Sequence, residues 1–410
     1  MNKYNLVPNI RFNGFDDEWT NKKFINFLAK IIDFRGKTPK KLGLSWSNNG
    51  KYRALSAINV KNGFIDKNID VHFGNYDLYK KWMGKTELEK GDILFTTEAP
   101  MGNIAIIRDD EKYILSQRTI AFRVNAKNIN GSFLLYRLNT VSTKNKLMRL
   151  STGGTAQGIS QKNLSYLIIS VSNSIKEQQK IGDFFSKLDK LLDLQQQKIN
   201  KFDLLKKALL QKLFPKHDAK IPELRFKGFE DEWKSYLLSK IAVFINGRAF
   251  KQNELLDKGK YPVLRVGNFY TNDKWFYSDL ELPEKLYANK GDLLYTWSAT
   301  FGPHIWTGDK VIYHYHIWKI IFLSEVSKQF ALQMLLNDKE ELMNNTNGST
   351  MIHLTKNEME KKVVKIPIQS EQQKIGNLLS KVDQLIELEN KKLHNLQQVK
   401  KCLLQNMFVE

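Results

Sequence analysis

The chain contains one segment twice, and that repetition limits its architecture more than any single motif does. Glu177–Phe214, EQQKIGDFFSKLDKLLDLQQQKINKFDLLKKALLQKLF, returns as Glu371–Phe408, EQQKIGNLLSKVDQLIELENKKLHNLQQVKKCLLQNMF, with an offset of 194 residues and 18 of 38 positions identical. Shorter echoes precede each copy in the same order. They are RFNGFDDEW from Arg11 and RFKGFEDEW from Arg225, YRALSAIN from Tyr52 and YPVLRVGN from Tyr261, and KGDILFT from Lys90 and KGDLLYT from Lys290. The last pair is STGGTAQGISQKNL from Ser151 and TNGSTMIHLTKNEM from Thr346. The offset drifts from 214 to 194 along this series, so insertions and deletions have accumulated between fixed landmarks. Two homologous halves with divergent middles are expected.

Each half reads as an α/β (α+β) module followed by one long helix. Alternating apolar stretches at 92–95, 104–107, 120–124, 293–296, 311–313 and 317–323, set among Gly and Asn turns, predict strand-rich modules. The boundaries that follow are a first module over 1–172, a helix over 173–214, a linker over 215–222, a second module over 223–368 and a second helix over 369–410. The linker PKHDAKIP holds two prolines, which cannot continue a helix.

Within the repeated segment, Ile181, Leu188 and Phe202 fall on one seven-residue register, as do Ile375, Val382 and Leu396 in the second copy. A heptad seam of this kind buries itself against another helix, and the nearest partner is the other copy. An antiparallel coiled coil with an approximate internal twofold axis is expected, each rod about 57 Å long at 1.5 Å per residue. Gln195 and Glu389 interrupt the seam at equivalent places near each midpoint, and in an antiparallel pair they would approach one another and fix register.

Lys and Arg outnumber Asp and Glu by 64 to 43 in 410 residues, a formal charge of +21. An excess of this size calls for a polyanionic partner, and nucleic acid leads an anionic membrane as that partner. No 18-residue apolar run is present and the N-terminal MNKYNLVPNIRFNGF lacks a signal peptide's apolar core, so a cytoplasmic location is expected. The single cysteine, Cys402, excludes a disulfide framework and a Cys-based zinc site.

Catalytic signatures are missing. The sequence has no G-x-x-x-x-G-K-[ST] phosphate loop, no Asn-Pro-Pro-aromatic methyltransferase motif and no glycine-rich loop for S-adenosylmethionine. Its Asp/Glu-x-Lys triplets are what a lysine-rich chain yields by accident. His304, His314 and His316 form the one dense histidine group; they read as surface or base-contacting side chains in preference to metal ligands. No catalytic residue, metal or cofactor is assigned to this chain.

The pair EQQKIG-x3-SK-x-D at Glu177 and Glu371, each opening a long helix after a variable module, resembles the specificity subunit of type I restriction-modification enzymes. The KGD turns, DFRGKTP at 33–39 and the Gly-Thr-rich loop before each helix fit that family's target recognition domains. The resemblance implies double-stranded DNA as ligand, each module reading one half of a split, asymmetric target in the major groove. It implies that the helices set the unread gap and dock two methyltransferase subunits, with two restriction subunits joining for cleavage. Catalysis and S-adenosylmethionine binding would belong to those partners. The alternative from another class is a non-enzymatic scaffold or RNA adaptor, and a third is an autonomous nuclease.

Candidate DNA contacts are Arg35, Lys37 and Lys40 in the first module, with Arg248 and Lys251 in the second, for phosphates. Gln117 and Arg118 are placed to read adenine and guanine edges, and His314 and His316 stand at the corresponding landmark of the second half. Thr155 and Gln157 lie in a glycine-rich stretch suited to close backbone approach. Trp19 and Trp233, which recur with the framework, are assigned to packing or partner docking.

Overall fold

The computed structural model describes residues 6–153, 157–216, 218–270, 272–298, 300–323, 326–345 and 354–409. The chain divides into two units, one formed by 1–196 with 392–410 and the other by 197–391. Each is described separately.

The first unit contains strands β1 (Thr20–Lys23), β2 (Leu28–Asp33), β3 (Tyr52–Leu55), β4 (Phe73–Gly74), helix α1 (Tyr76–Met83), β5 (Ile93–Thr96), β6 (Ile104–Ile106), β7 (Tyr113–Leu115) and β8 (Thr119–Val124). Helices α2 (Gly131–Asn139), α3 (Val141–Leu150) and α4 (Gln161–Leu164) follow, then β9 (Ile168–Val171) and the start of the long helix α5 (Ile175–Leu213). The central sheet has the order β2-β8-β5-β6 and is wholly antiparallel. Strands β5, β6 and most of β8 are buried on both faces, so they read as largely apolar runs, whereas the edge strand β2 buries only Ile32 fully. Ile93, Phe95, Ile104, Ile120 and Phe122 face one core with Phe133 of α2, while Leu94, Ala105 and Ala121 face a second core with Leu55 of β3 and Trp82 of α1. A smaller sheet, β4-β3-β7, covers that second face, and β1 pairs with β9.

The second unit repeats the plan. It contains β10 (Lys234–Leu237), α6 (Leu238–Ile241), β11 (Ala242–Asn246), β12 (Tyr261–Leu264), β13 (Phe276–Ser278), β14 (Tyr287–Ala288), β15 (Leu293–Thr296), β16 (Gly302–Ile305), β17 (Val311–Tyr313) and β18 (Ile317–Phe322). It closes with α7 (Lys328–Asn345), α8 (Lys356–Glu360), β19 (Val363–Ile366) and most of α9 (Gln369–Asn406). The sheet order β11-β18-β15-β16 matches β2-β8-β5-β6 strand for strand, and β13-β12-β17-β14 matches β4-β3-β7 with one strand added. The six expected strands are all present to within one residue.

Packing explains why EQQKIG-x3-SK-x-D recurs. The fully buried Glu177 accepts two hydrogen bonds from Arg11 of the RFNGF segment, at 2.6 and 2.9 Å, and Glu371 accepts the same pair from Arg225 at 2.8 and 2.9 Å. Gln178 accepts from the backbone N–H of Asn130 and donates to the carbonyl of Ser172, tying the N-terminus of α2 to the start of α5. Gln372 does likewise with Ser327 and Pro367. Lys180 lies 5.1 Å over the Phe15 ring, and Lys374 lies 4.8 Å over that of Phe229. Asp189 accepts from Tyr136 and pairs with Lys400; Asp383 accepts from Gln333 and pairs with Lys206. The glycine permits close helix contact, since a Cβ on Gly182 would stand 2.9 Å from the Phe133 amide nitrogen and one on Gly376 would stand 2.9 Å from that of Phe330. Gly182→Ala and Gly376→Ala are each expected to lose roughly 1–3 kcal/mol to overpacking, read as a lowered midpoint in thermal melts followed by circular dichroism.

In each unit the segments of the two long helices run antiparallel. The start of α5 meets the end of α9 in the first unit, where Phe185 packs on Phe408 at 5.8 Å and Leu188 shares a cluster with Leu403. In the second unit Lys198 donates to Glu389 at 3.0 Å, and Leu209 and Leu210 share a cluster with Ile375 and Leu379. The seam positions divide by depth. Ile181, Ile375, Val382 and Glu389 are buried, while Leu188, Gln195, Phe202 and Leu396 are half-buried. Ile181 and Ile375 enter the module cores, so the first turns of each heptad register serve the modules as well as the helix pair. Trp19 sits in the first core against Phe133 and Phe408, and Trp233 in the second against Phe330 and Phe214. Both tryptophans are packing residues.

Candidate nucleic-acid interface

Strand register fixes which loops share an edge. In the first unit Asp33 lies opposite Ile120, and Thr96 opposite Thr119. The end of β2, the start of β8 and the end of β5 therefore meet at one edge of the central sheet. The segments leaving that edge are 34–38, 97–103 and 116–118. Buried threonine hydroxyls hold them together: Thr96 donates to the Pro100 carbonyl at 2.5 Å and Thr97 to the Arg118 carbonyl at 3.2 Å. Residues 157–161 join the same edge, because Gly158 bridges to Glu98, the Ile159 amide donates to Thr97 and the Gln161 side chain donates to Asp33 at 2.7 Å. Arg35, Gln117, Arg118 and Gln157, distant in sequence, thus come from segments of one edge. Thr155 lies outside the described residues.

The candidate side chains differ in availability. Arg35 forks onto Asp33 at 2.5–3.0 Å. That hydrogen bonding holds the guanidinium above its ordinary range. Burial opposes the Asp33 charge, but the bonds from Arg35 and Gln161 still keep its carboxyl below the usual carboxylate range. Lys37 donates to the Trp82 carbonyl at 2.5 Å and sits 4.6 Å over the Phe34 ring, and burial lowers its affinity for the proton. Their partners leave donors over on both cations, but these bonds restrict where Arg35 and Lys37 can reach a phosphate. Lys40, Gln117, Arg118 and Gln157 are exposed, with Arg118 Nε 3.7 Å from Glu98.

The second unit builds the same edge with other chemistry. The loop after β11 crosses the β17–β18 loop so closely that a Cβ on Gly247 would stand 2.3 Å from the carbonyl oxygens of Tyr313 and His314. Arg248 donates from its amide to Tyr313, accepts from the Tyr315 amide, and pairs with Glu254 at 2.5 Å. Lys251 is exposed. His314 lies parallel to Phe250, and His316 packs edge-on to Trp297 at 4.9 Å, with the two imidazole centroids 5.1 Å apart. No group of three metal-capable side chains occurs among the described residues. Sequence reasoning had no reason to select Trp297 for this edge, since its contact with the histidines depends on the strand ladder that sets β15 beside β18.

Burial, with His316 and Arg265 acting in the same direction, pushes the His314 imidazole down to about 4; burial and Lys339 do the same to His304. Both groups are therefore neutral at pH 7. A folded-state value below the ordinary 6.5 means that this neutral form stabilises the fold above pH 6.5, and that the contribution is lost as pH falls toward 4. The melting temperature is expected to fall across that window, and His314→Phe is expected to shrink the fall. Melts at half-unit pH steps measure both.

Two asparagines also went unselected although the repeat marks them. Asn59 accepts from the Ser56 amide and donates to the Ile69 carbonyl, while Asn268 accepts from the Arg265 amide and donates to the Asn272 carbonyl. Each pins the loop after β3 or β12 and thereby fixes the residue three positions earlier, Ser56 or Arg265.

A family model described as "Type I restriction modification DNA specificity domain" matches residues 16–203 and again 230–398. Among curated proteins, the chain is 22% identical over 411 aligned positions to the type I restriction enzyme MjaVIII specificity subunit of Methanocaldococcus jannaschii, covering 95% of this chain and 91% of that one. It is 25% identical over 359 positions to the putative MjaX specificity subunit of the same organism, covering 83% of each. Among solved structures, the S subunit of a type I restriction-modification system from M. genitalium superposes with a TM-score of 0.61 at 18% identity, covering 98% of this chain and 99% of that one. A chain from a study of type I system assembly and conformational transition reaches 0.57 at 14% identity, covering 95% and 97%. Among the described residues, no helix is long and apolar enough to cross a membrane.

Proposed function

The chain belongs to the type I restriction-modification DNA specificity family, whose subunits are non-catalytic, and we propose that each of its units reads one half of a split, asymmetric double-stranded DNA target. The observation that carries this reading is the pair of equivalent loop edges. The framework around them repeats down to individual hydrogen bonds, whereas the β7–β8 loop offers Gln117 and Arg118 and the β17–β18 loop offers His314, Tyr315 and His316. A conserved frame presenting different donors and acceptors suits two readers of unlike sequence. The long helices, each contributing to both units, set the unread gap.

Adenine methylation and ATP-dependent cleavage reside in partners: two methyltransferase subunits and two restriction subunits, with S-adenosylmethionine held outside this chain. Exposed apolar side chains at repeat-related positions support helix-borne docking. Leu191 and Leu385, and Leu194 and Leu388, are 42–52% exposed, more apolar surface than a solvated helix face needs. The test is co-expression with the methyltransferase subunit and sequencing of methylated adenines in host DNA. A bipartite motif of unlike halves is expected. Its absence despite an assembled, active complex favours an adaptor.

A further inference from the structure

Beside the exposed Gln117 and Arg118, a pocket of about 350 Å³ opens in the first unit, lined also by Trp46, Ser56, Asp70 and His72. Sequence patterning does not select the last four, which come from three segments, Asp70 and His72 sharing one. Their arrangement is specific. Ser56 donates to Asp70 Oδ2 at 2.6 Å, and His72 Nε2 lies 3.2 Å from Oδ1 of the same carboxylate. Trp46 stacks on His72 with centroids 6.3 Å apart and leans on Trp82 at 5.3 Å, forming an aromatic wall. Asn59, itself buried, pins the loop that carries Ser56.

Backbone strain marks the same place. Among the described residues, three non-glycines have left-handed φ: Asp70 at 47°, Ala99 at 43° and Arg118 at 61°. All three line this pocket. Such conformations cost energy, and they persist where surrounding structure holds them for a purpose. An ionised carboxylate has only acceptors, about four lone-pair directions in all, and two partners leave Asp70 with capacity to spare. Placed against phosphates it would repel them. Placed against a base edge it meets an exocyclic amino group, as in carboxylate recognition of cytosine.

The second unit shows what varies. The repeat equates Tyr52 with Tyr261, and the ladders pair these with Gly74 and Ser278 respectively. Counting back along β4 and β13, Lys274 takes the place of Asp70 and Phe276 that of His72; the repeat itself sets Arg265 in the place of Ser56. Arg265 and Lys274 lie 5.2 and 4.9 Å from the Phe276 ring, so the acceptor of the first unit is replaced by two cations.

Resting on the DNA-reading function above, we propose that this pocket is a base-reading subsite of the first unit. Asp70 is its specificity-determining residue, accepting a hydrogen bond from the exocyclic amino group of an adenine or cytosine, and Ser56 positions it. The test uses the full chain assembled with its methyltransferase subunit and a pool of duplexes randomised at both half-sites, sequenced after selection. Asp70→Asn and Asp70→Gly both tolerate the backbone conformation. Each is expected to weaken the preference for an amino-bearing base at one position of one half-site about tenfold or more, leaving every other position intact. Ser56→Ala, which leaves the backbone alone, is expected to weaken the same position. The letter found there distinguishes adenine from cytosine. Unchanged letters in all three variants, or a loss spread over both half-sites, would overturn the assignment. A wild-type complex that selects no split motif would overturn the DNA-reading function itself.

Discussion

Glu177→Gln is expected to destabilise the first unit by about 3–5 kcal/mol, the scale for breaking a buried ion pair by removing one partner. Glu177 is fully buried and receives both Nε and Nη2 of Arg11, whose side chain is only 11% exposed. The third guanidinium nitrogen, Nη1, is buried and has no partner among the described residues. Removing the carboxylate charge leaves a largely buried cation whose compensation is gone. Glu371→Gln, opposite Arg225, is expected to act equally on the second unit. Replacing both partners, as in Arg11→Met with Glu177→Leu, is expected to restore most of the loss, because an apolar pair of similar volume has no desolvation to repay. Urea denaturation followed by tryptophan fluorescence measures all three. A single-variant loss under 1 kcal/mol would mean that the pair is solvated and that the recurrence of these two motifs has another cause.

That pair also illustrates what the sequence conveys and what it withholds. Arg11 and Glu177 are 166 positions apart, yet both stand in repeated motifs, so their importance was legible while their contact was not. The strands at 93–96 and 293–296 were legible because burial on both faces leaves an unbroken apolar run. The heptad register located both long helices, but it could not separate helix–helix from helix–module burial, since either partner presents an apolar surface to Ile181 and Ile375. Charge was the least reliable guide. It marked Arg35 and Lys37 as phosphate contacts but carried no sign that Asp33, two residues before Arg35, and the Trp82 carbonyl engage them. In the pocket, Gln117 and Arg118 were marked by their side-chain chemistry, but Trp46, Ser56, Asp70 and His72 carried no signal: they are gathered by loops whose paths follow from strand order, and neither helical nor strand periodicity links their positions.

Inserting one heptad into both long helices, after Gln196 and after Lys391, is expected to lengthen the unread gap by about three base pairs. Seven residues add about 10.5 Å of helix, against 3.4 Å per base pair of duplex. A heptad keeps the apolar seam nearly in phase, drifting only about 20°, so the paired segments within each unit retain their partners. Both half-site sequences should therefore be unchanged. Three added base pairs turn the duplex by roughly 100°, given about 10.5 base pairs per turn, whereas the lengthened helices turn by far less. The best new site should accordingly be bound more weakly than the parent binds its own, since DNA or protein must twist to align both reading edges. The parent site should fall toward non-specific affinity, a loss of 10³ or more. An insertion in one helix alone breaks the register on which pairs such as Lys198 with Glu389 and Lys400 with Asp189 depend, and is expected to abolish binding to every spacing. Selection from duplex pools that vary only in spacer length measures each case, and a doubly lengthened protein that still prefers the parent gap would remove the helices from any part in setting it.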